Sequence, residues 1–433
     1  MEWQPTHQEG EDSEVGRGSE LTSLRSSTRQ AKLFALRAVG PGLLVCLADT
    51  DGGCLLVAAQ SGAKWGFSLL PLQILLIPVL YLTQELTVRL GIHMKQGHTA
   101  CIRDYFGPFW AWFSALLLVI SCTGAIVSEM SAIASVLELW GASCWMGALI
   151  SALAIVAAVV LLNYRQVEAF GVVMGLFELT FVITMFASRP SPSKMITSMS
   201  TFHAEASYWE LFSSNIGAVI MPWMIYFQQS AVVARRLTTQ TDLIQERAMT
   251  FCGSVLTQLV MIGALVTLAA APRASQDLKS VRDIYAAFTP MFGEVLSLVL
   301  VSLGFIGSSL CGAVVVSLTA AWAICEAANW EDPFSLDRRI TEAPRFYAVF
   351  LFIVSAGVVV HLIGINVIRL NVYIELIDSF LLPMAISFLF LLVTKPILPH
   401  EVRVHGYHRV ILGVVFAVVS FTGLSTGIYG ILE

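Results

Sequence analysis

Along the chain, apolar runs alternate with short polar breaks. The runs fall near 34–62, 68–92, 108–138, 143–163 and 167–188, and again near 207–234, 246–271, 290–326, 346–367, 371–394 and 408–431. A hydrocarbon core about 30 Å thick asks for about 20 apolar residues from each spanning helix, and these runs supply them. The pattern predicts an all-α integral membrane protein with about eleven transmembrane helices. The third and eighth runs are longer than a bilayer needs, so they are expected to tilt or to project beyond it.

Composition agrees. Hydrophobic residues make up 56% of the 433, charged residues only 13%, and the mean hydropathy is +0.76. A soluble surface needs roughly twice that charge. The net charge of −5 is too small to imply a charged partner, and no basic patch for nucleic acid is present. The eight cysteines lie mostly within apolar runs without CxxC spacing, so they read as packing residues. Residues 1–33 are polar with no apolar h-region; they are expected to form a disordered cytosolic tail, not a cleaved signal peptide. With the amino end inside, 18 basic residues fall in cytosolic segments and 7 outside. The positive-inside rule therefore predicts a multi-pass protein of the cell membrane with a cytosolic amino terminus.

Two runs are interrupted. The first contains Asp49, Thr50, Asp51, Gly52, Gly53 and Cys54 near mid-span. A carboxylate there costs at least about 2.5–3.5 kcal/mol on insertion scales, so it needs a partner or a role. The glycines let the helix unwind, which requires a protein-lined or wet cavity around the freed carbonyls. The sixth run contains Met221-Pro222, and the proline frees carbonyls around Ala218. A simple proline kink would explain one such span. Breaks in the first and sixth spans of two inverted five-span repeats would instead meet at the midplane, where transporters with discontinuous helices bind substrate.

The stretches GPGLLVCLADTDGGCLLVAAQSGAKWG and IGAVIMPWMIYFQQSAVV resemble the Nramp family of divalent metal transporters, a resemblance running roughly from 38 to 395. It implies a LeuT-like fold: a first inverted repeat at 34–188, a second at 207–395, and an additional span at 408–433. The family's Asp-Pro-Gly-Asn and Ala-x-x-Met-Pro-His motifs imply metal ligands at Asp51, Cys54 (in place of asparagine), the Ala218 carbonyl and the Met221 thioether. A tenth-span glutamine of relatives falls on Glu375. Asp49, Thr50, Gly52, Gly53, Trp223, Gln228 and Glu129 are implied as lining. Where proton-coupled relatives carry histidines, this chain has Trp223 and Gln228; where they carry a third-span Asp and Glu, it has Glu129 and Ala132. That departure resembles the magnesium-transporting branch related to Nramp.

Ion chemistry leaves two substrates open. Magnesium wants oxygen ligands and gives up water reluctantly, which suits a site with few direct ligands. Cys54 and Met221 are soft and favour transition metals, although Cys54 reads as neutral packing rather than thiolate. The missing histidines weigh more, so uncoupled Mg²⁺ uptake is the expectation, with Mn²⁺ second. The alternative is a proton-coupled Mn²⁺ or Fe²⁺ transporter with Glu129 as relay. A metal sensor on a transporter scaffold is a third reading. No phosphate loop or nucleophile–base pair points to an enzyme. No cofactor is expected beyond the transported ion, and a monomer in the bilayer is. Glu85, Glu178 and Glu294 could line a path or pair with neighbouring helices; Asp378, one turn from Glu375, is expected to face the cavity. His361 is expected to be satisfied at a helix end, and Asn215 to bond the unwound backbone.

Overall fold

Each interrupted run folds as two half-helices. The computed structural model describes residues 40–432 apart from 273–277, 331–334, 364–366, 397 and 401. The expected tail at 1–33, residues 34–39 of the first run and the loop residue Arg273 lie outside the described residues. The first run gives α1 (Pro41–Asp49) and α2 (Gly52–Trp65), bent by 46°. Then come α3 (Leu70–Met94), the short α4 (His98–Phe106), α5 (Pro108–Leu139) and α6 (Cys144–Leu161). The fifth span is α7 (Tyr164–Gly175) joined through one 3₁₀ turn to α8 (Leu179–Ala187), and α9 (Pro192–Met199) lies between the halves. The sixth run gives α10 (Ala206–Val219) and α11 (Pro222–Ala234). After it follow α12 (Gln240–Ala270), α13 (Val281–Phe292), α14 (Glu294–Ala328), α15 (Pro344–His361), α16 (Val367–Thr394) and α17 (Gly406–Leu432). By length and composition, ten helices among the described residues can cross a membrane, or eleven with the bent α1–α2 pair.

The expected spans and the observed helices coincide within a few residues. One departs: α15 stops at His361, where the apolar run continues to 367. The two long helices are as expected. At 1.5 Å per residue, the 32 residues of α5 and the 35 of α14 reach about 48 and 52 Å, and they pack along each other. Exposed Trp110 and Trp140 mark the ends of α5. They are separated by about 45 Å of helix, near the full thickness of a bilayer with its headgroups.

Sequence explains both breaks. Asp51 is extended (φ −63°, ψ 173°) and its Oδ1 accepts the Cys54 amide at 2.8 Å, capping α2. Met221 is extended (φ −74°, ψ 140°) because it precedes Pro222, which opens α11. Pro222 has no N–H, so the helical bond to the Ala218 carbonyl cannot form.

Polar residues gather inside, whereas α6 and α17 lie at the edge with most of their apolar surface outward. Helices α10 and α16 approach closely at Gly217, where a Cβ would sit 1.9 Å from the Glu375 carbonyl oxygen. On one end of the bundle, α4 is held by Glu326 of α14. Its carboxylate accepts from the Thr99 and Ala100 amides (3.1 and 3.3 Å) and from Ser230 Oγ of α11 (2.8 Å). His98, buried at the start of α4, bonds Gln229 Oε1 through Nδ1 at 2.7 Å.

Candidate metal site

The break between α1 and α2 places Asp51 and Cys54 one helical turn apart, and α16 brings Glu375 to them. Ligand atoms of these three buried residues lie within 4.8 Å of one another. Gly52 and Gly53 make room for this convergence. A Cβ on Gly53 would meet Ser128 Oγ at 2.3 Å and Glu375 Oε1 at 3.1 Å. One on Gly52 would lie 2.1 Å from Ser309 Oγ and 3.0 Å from Glu129 Oε2. Glu129 on α5 accepts the Gly52 amide at 3.0 Å, and both it and Asp51 border Gly312 of α14.

Oxygen is the available donor. Asp51 Oδ2, Glu129 Oε1, Glu375 Oε2 and both oxygens of Asp49 are buried and accept no hydrogen bond among the described residues. Asp378 shares that condition, and Glu178 keeps one such oxygen while its other accepts from Thr50 Oγ1. Buried carboxylate oxygens without donors are costly unless a cation or proton meets them. The carboxyl ends of the half-helices α1 and α10 add the negative ends of their dipoles.

Both sulfurs are otherwise engaged. Cys54 Sγ donates to the Ala218 carbonyl at 3.1 Å, joining the first break to the second. Met221 Sδ accepts from the Trp223 indole at 3.1 Å. A thiol that donates a hydrogen bond carries its proton and is a poor metal ligand.

Other expected residues go elsewhere. Gln228 was expected in the lining, but it accepts from Thr87 Oγ1 at 3.0 Å and donates to Thr250 Oγ1 at 3.2 Å, tying α11 to α3 and α12. It points there because it lies nearly two turns along α11 from Met221. Asn215 does not bond the unwound backbone; it donates to Ser61 Oγ (2.8 Å) and to the Leu211 carbonyl within α10, and accepts from Gln73 (2.6 Å). Glu85 pairs with Arg89 and Arg247, and Glu294 is exposed at the start of α14. His361 is satisfied at the end of α15 by Ser131 and Cys144.

Sequence reasoning missed Ser128, Ser309 and Asn371. Ser128 Oγ hydrogen-bonds Asn371 Oδ1 beside Gly53. The signal was there in the spacing of Asn371, Glu375 and Asp378, one helical face of polar residues in an apolar span. A cavity of about 290 Å³ lies at the far ends of α2, α10 and α16, lined by Gln60, Lys64, Glu210 and Arg369 among others.

Residues 42–428 match the family model described as natural resistance-associated macrophage protein-like, Nramp. Similar curated proteins include a divalent metal cation transporter MntH of Aeromonas hydrophila, 24% identical over 90% of this chain and 95% of the relative. Another is the metal transporter Nramp2 of rice, Oryza sativa subsp. japonica, 28% identical over 48% of this chain and 41% of its own length. Among solved structures, the fold matches the Eremococcus coleocola manganese transporter at a TM-score of 0.70 and 17% identity, covering 90% of this chain and 85% of that one. It also matches MhsT in complex with L-phenylalanine at 0.62 and 11% identity, over 90% and 98%.

Proposed function

This chain belongs to the Nramp family, and from that premise we propose that it is a divalent metal cation transporter whose cargo is magnesium first and manganese second. Transport is by alternating access: the two repeats, 34–188 and 207–395, rock around the paired breaks while the ion sits at Asp51 and Glu375. The observation that carries this reading is the state of the donors. The carboxylates converge with oxygens to offer, whereas Cys54 and Met221 spend their sulfurs on Ala218 and Trp223. Carboxylate, carbonyl and water ligation suits hard ions such as magnesium and manganese. The Ala218 carbonyl becomes a ligand only when the Cys54 thiol turns away.

Proton coupling is not needed on energetic grounds. At about 2.3 kcal/mol per charge per 100 mV, a divalent ion entering a cell gains roughly 4.6 kcal/mol, more than a thousandfold in concentration. This assumes the cell membrane with the amino terminus in the cytosol, as the distribution of basic residues supports. A monomer suffices, since the residues proposed to hold the ion all come from one chain.

A second reading is a proton-coupled manganese or iron transporter. Its support is the position of Glu129, whose carboxylate borders the same glycine as Asp51. Competition separates the two. Excess Mg²⁺ blocks Mn²⁺ uptake into proteoliposomes under the first reading and leaves it unchanged under the second. Asp51→Asn abolishes uptake of both ions under either; an active Asp51→Asn protein means the ion binds elsewhere.

A further inference from the structure

Another cavity, lined by charged and aliphatic side chains, lies away from the breaks, at the end of the bundle where α3, α12 and α17 meet. It has a volume of about 410 Å³ and includes Glu85, Arg89, Arg247, Arg403 and His408 in its lining. Three guanidiniums face one carboxylate. Glu85 takes both Arg89 (2.7 Å) and Arg247 (2.6 Å), so it cannot neutralise Arg403 as well. Arg403 has no carboxylate against it among the described residues. Arg89 also donates to the Val402 carbonyl at 2.9 Å, which holds the loop before α17 against α3.

Beside these groups the wall is aliphatic: Leu82 and Leu86 of α3, and Ile411 and Leu412 of α17. That wall does not end at the rim. Ile411, Val414, Val418 and Phe421 follow at helical spacing and are 44%, 56%, 57% and 73% exposed, an apolar stripe running from the basic cavity along the outer face of α17. A soluble anion would have no use for such a stripe. A phosphodiester with acyl chains would use both parts, because guanidiniums match phosphate oxygens in pairs and apolar stripes match chains.

We infer that this cavity binds the headgroup of an anionic glycerophospholipid, with its chains along α17, in the leaflet at this end of the bundle. The basic residues here belong to segments that the charge distribution places in the cytosol, where basic pockets between helices meet anionic headgroups. The bound lipid bridges α17, which lies outside the two repeats, to α3 and α12. It thereby adds a further link to the bundle for the least buried of the spans.

The test uses the full chain purified in detergent, with phosphatidylglycerol, phosphatidylcholine or inorganic phosphate added. Native mass spectrometry and thermal melting are read on each. Phosphatidylglycerol is expected to bind at one site and raise the melting temperature, phosphatidylcholine to do so several-fold less, and inorganic phosphate not at all. Each basic charge contributes about fivefold, so Arg403→Glu, a change of two charges, is expected to weaken phosphatidylglycerol binding by about 30-fold. Arg165→Glu, an exposed arginine on α7, leaves it unchanged. Equal retention of the two lipids by the unaltered protein overturns the inference without recourse to a variant. So does an equal melting shift from inorganic phosphate, or equal binding by the Arg403→Glu and Arg165→Glu proteins.

Discussion

Gly217→Ala tests whether the approach of α10 to α16 is what delivers Glu375. The new Cβ would lie 1.9 Å from the Glu375 carbonyl oxygen, 2.9 Å from its carbon and 3.0 Å from the Ser379 amide nitrogen. All three are backbone atoms, so no side chain can swing aside. Restoring a contact of 3.0–3.4 Å parts the helices locally by roughly 1.1–1.5 Å, and overpacking of this kind costs about 1–3 kcal/mol. Glu375 sits at the contact itself, so its carboxylate retreats from Asp51 by a similar distance. Misplacement of a reacting or binding group by about 1 Å can cost on the order of a hundredfold. Metal uptake by reconstituted Gly217→Ala protein is therefore expected to fall tenfold to a hundredfold, by about that upper bound at most, while the protein still folds with a lowered melting temperature. Gly413→Ala is the control, because its Cβ would meet only the Phe390 ring at 3.4 Å. Uptake and melting of Gly217→Ala that match Gly413→Ala would mean that the approach of α10 to α16 does not set the position of Glu375.

Further outcomes concern single groups. Glu375→Gln keeps the shape of the site and removes one charge, so Mg²⁺ uptake should require at least about tenfold more ion, read from the concentration dependence of flux. Cys54→Ser preserves a donor to the Ala218 carbonyl and is expected to transport Mg²⁺ within a few-fold of the unaltered chain; Cys54→Ala leaves that buried acceptor unmet and lowers stability by about 1–3 kcal/mol in a melting experiment. His98 lies in α4, outside the spans, and burial lowers its pKa from 6.5 to about 4. The unfolded chain therefore binds a proton below pH 6.5 that the folded chain refuses until about pH 4, so acid favours unfolding across that window. The loss amounts to about 3 kcal/mol. Melting at stepped pH should show a slope that His98→Gln removes.

The spans and breaks were legible because both are local. Apolar length marks a crossing, Gly52-Gly53 and Met221-Pro222 mark where helices stop, and the helices follow within a few residues. Contacts between distant helices were not legible. Nothing in the sequence tells that the Cys54 thiol meets the Ala218 carbonyl, or that Glu178 reaches Thr50. Gln228 was placed by motif position alone, but the rise of α11 carries it about 10 Å along the axis from Met221, to Thr87 and Thr250. The expectation of uncoupled uptake rested on the absent histidines. It overlooked that packing gathers Asp49, Asp51, Glu129, Glu178, Glu375 and Asp378 as buried acids, because their closeness comes from four separate spans.

Those acids make the coupling question the sharpest one. The direct measurement loads a pH dye inside proteoliposomes, imposes a negative internal potential, and follows Mg²⁺ and Mn²⁺ entry with internal pH in the same vesicles. Uncoupled Mg²⁺ uptake predicts concentrative entry of Mg²⁺, competition by Mg²⁺ against Mn²⁺, and no acidification beyond that of empty vesicles. Entry of Mn²⁺ alone, with acidification in proportion to each ion carried, would contradict it.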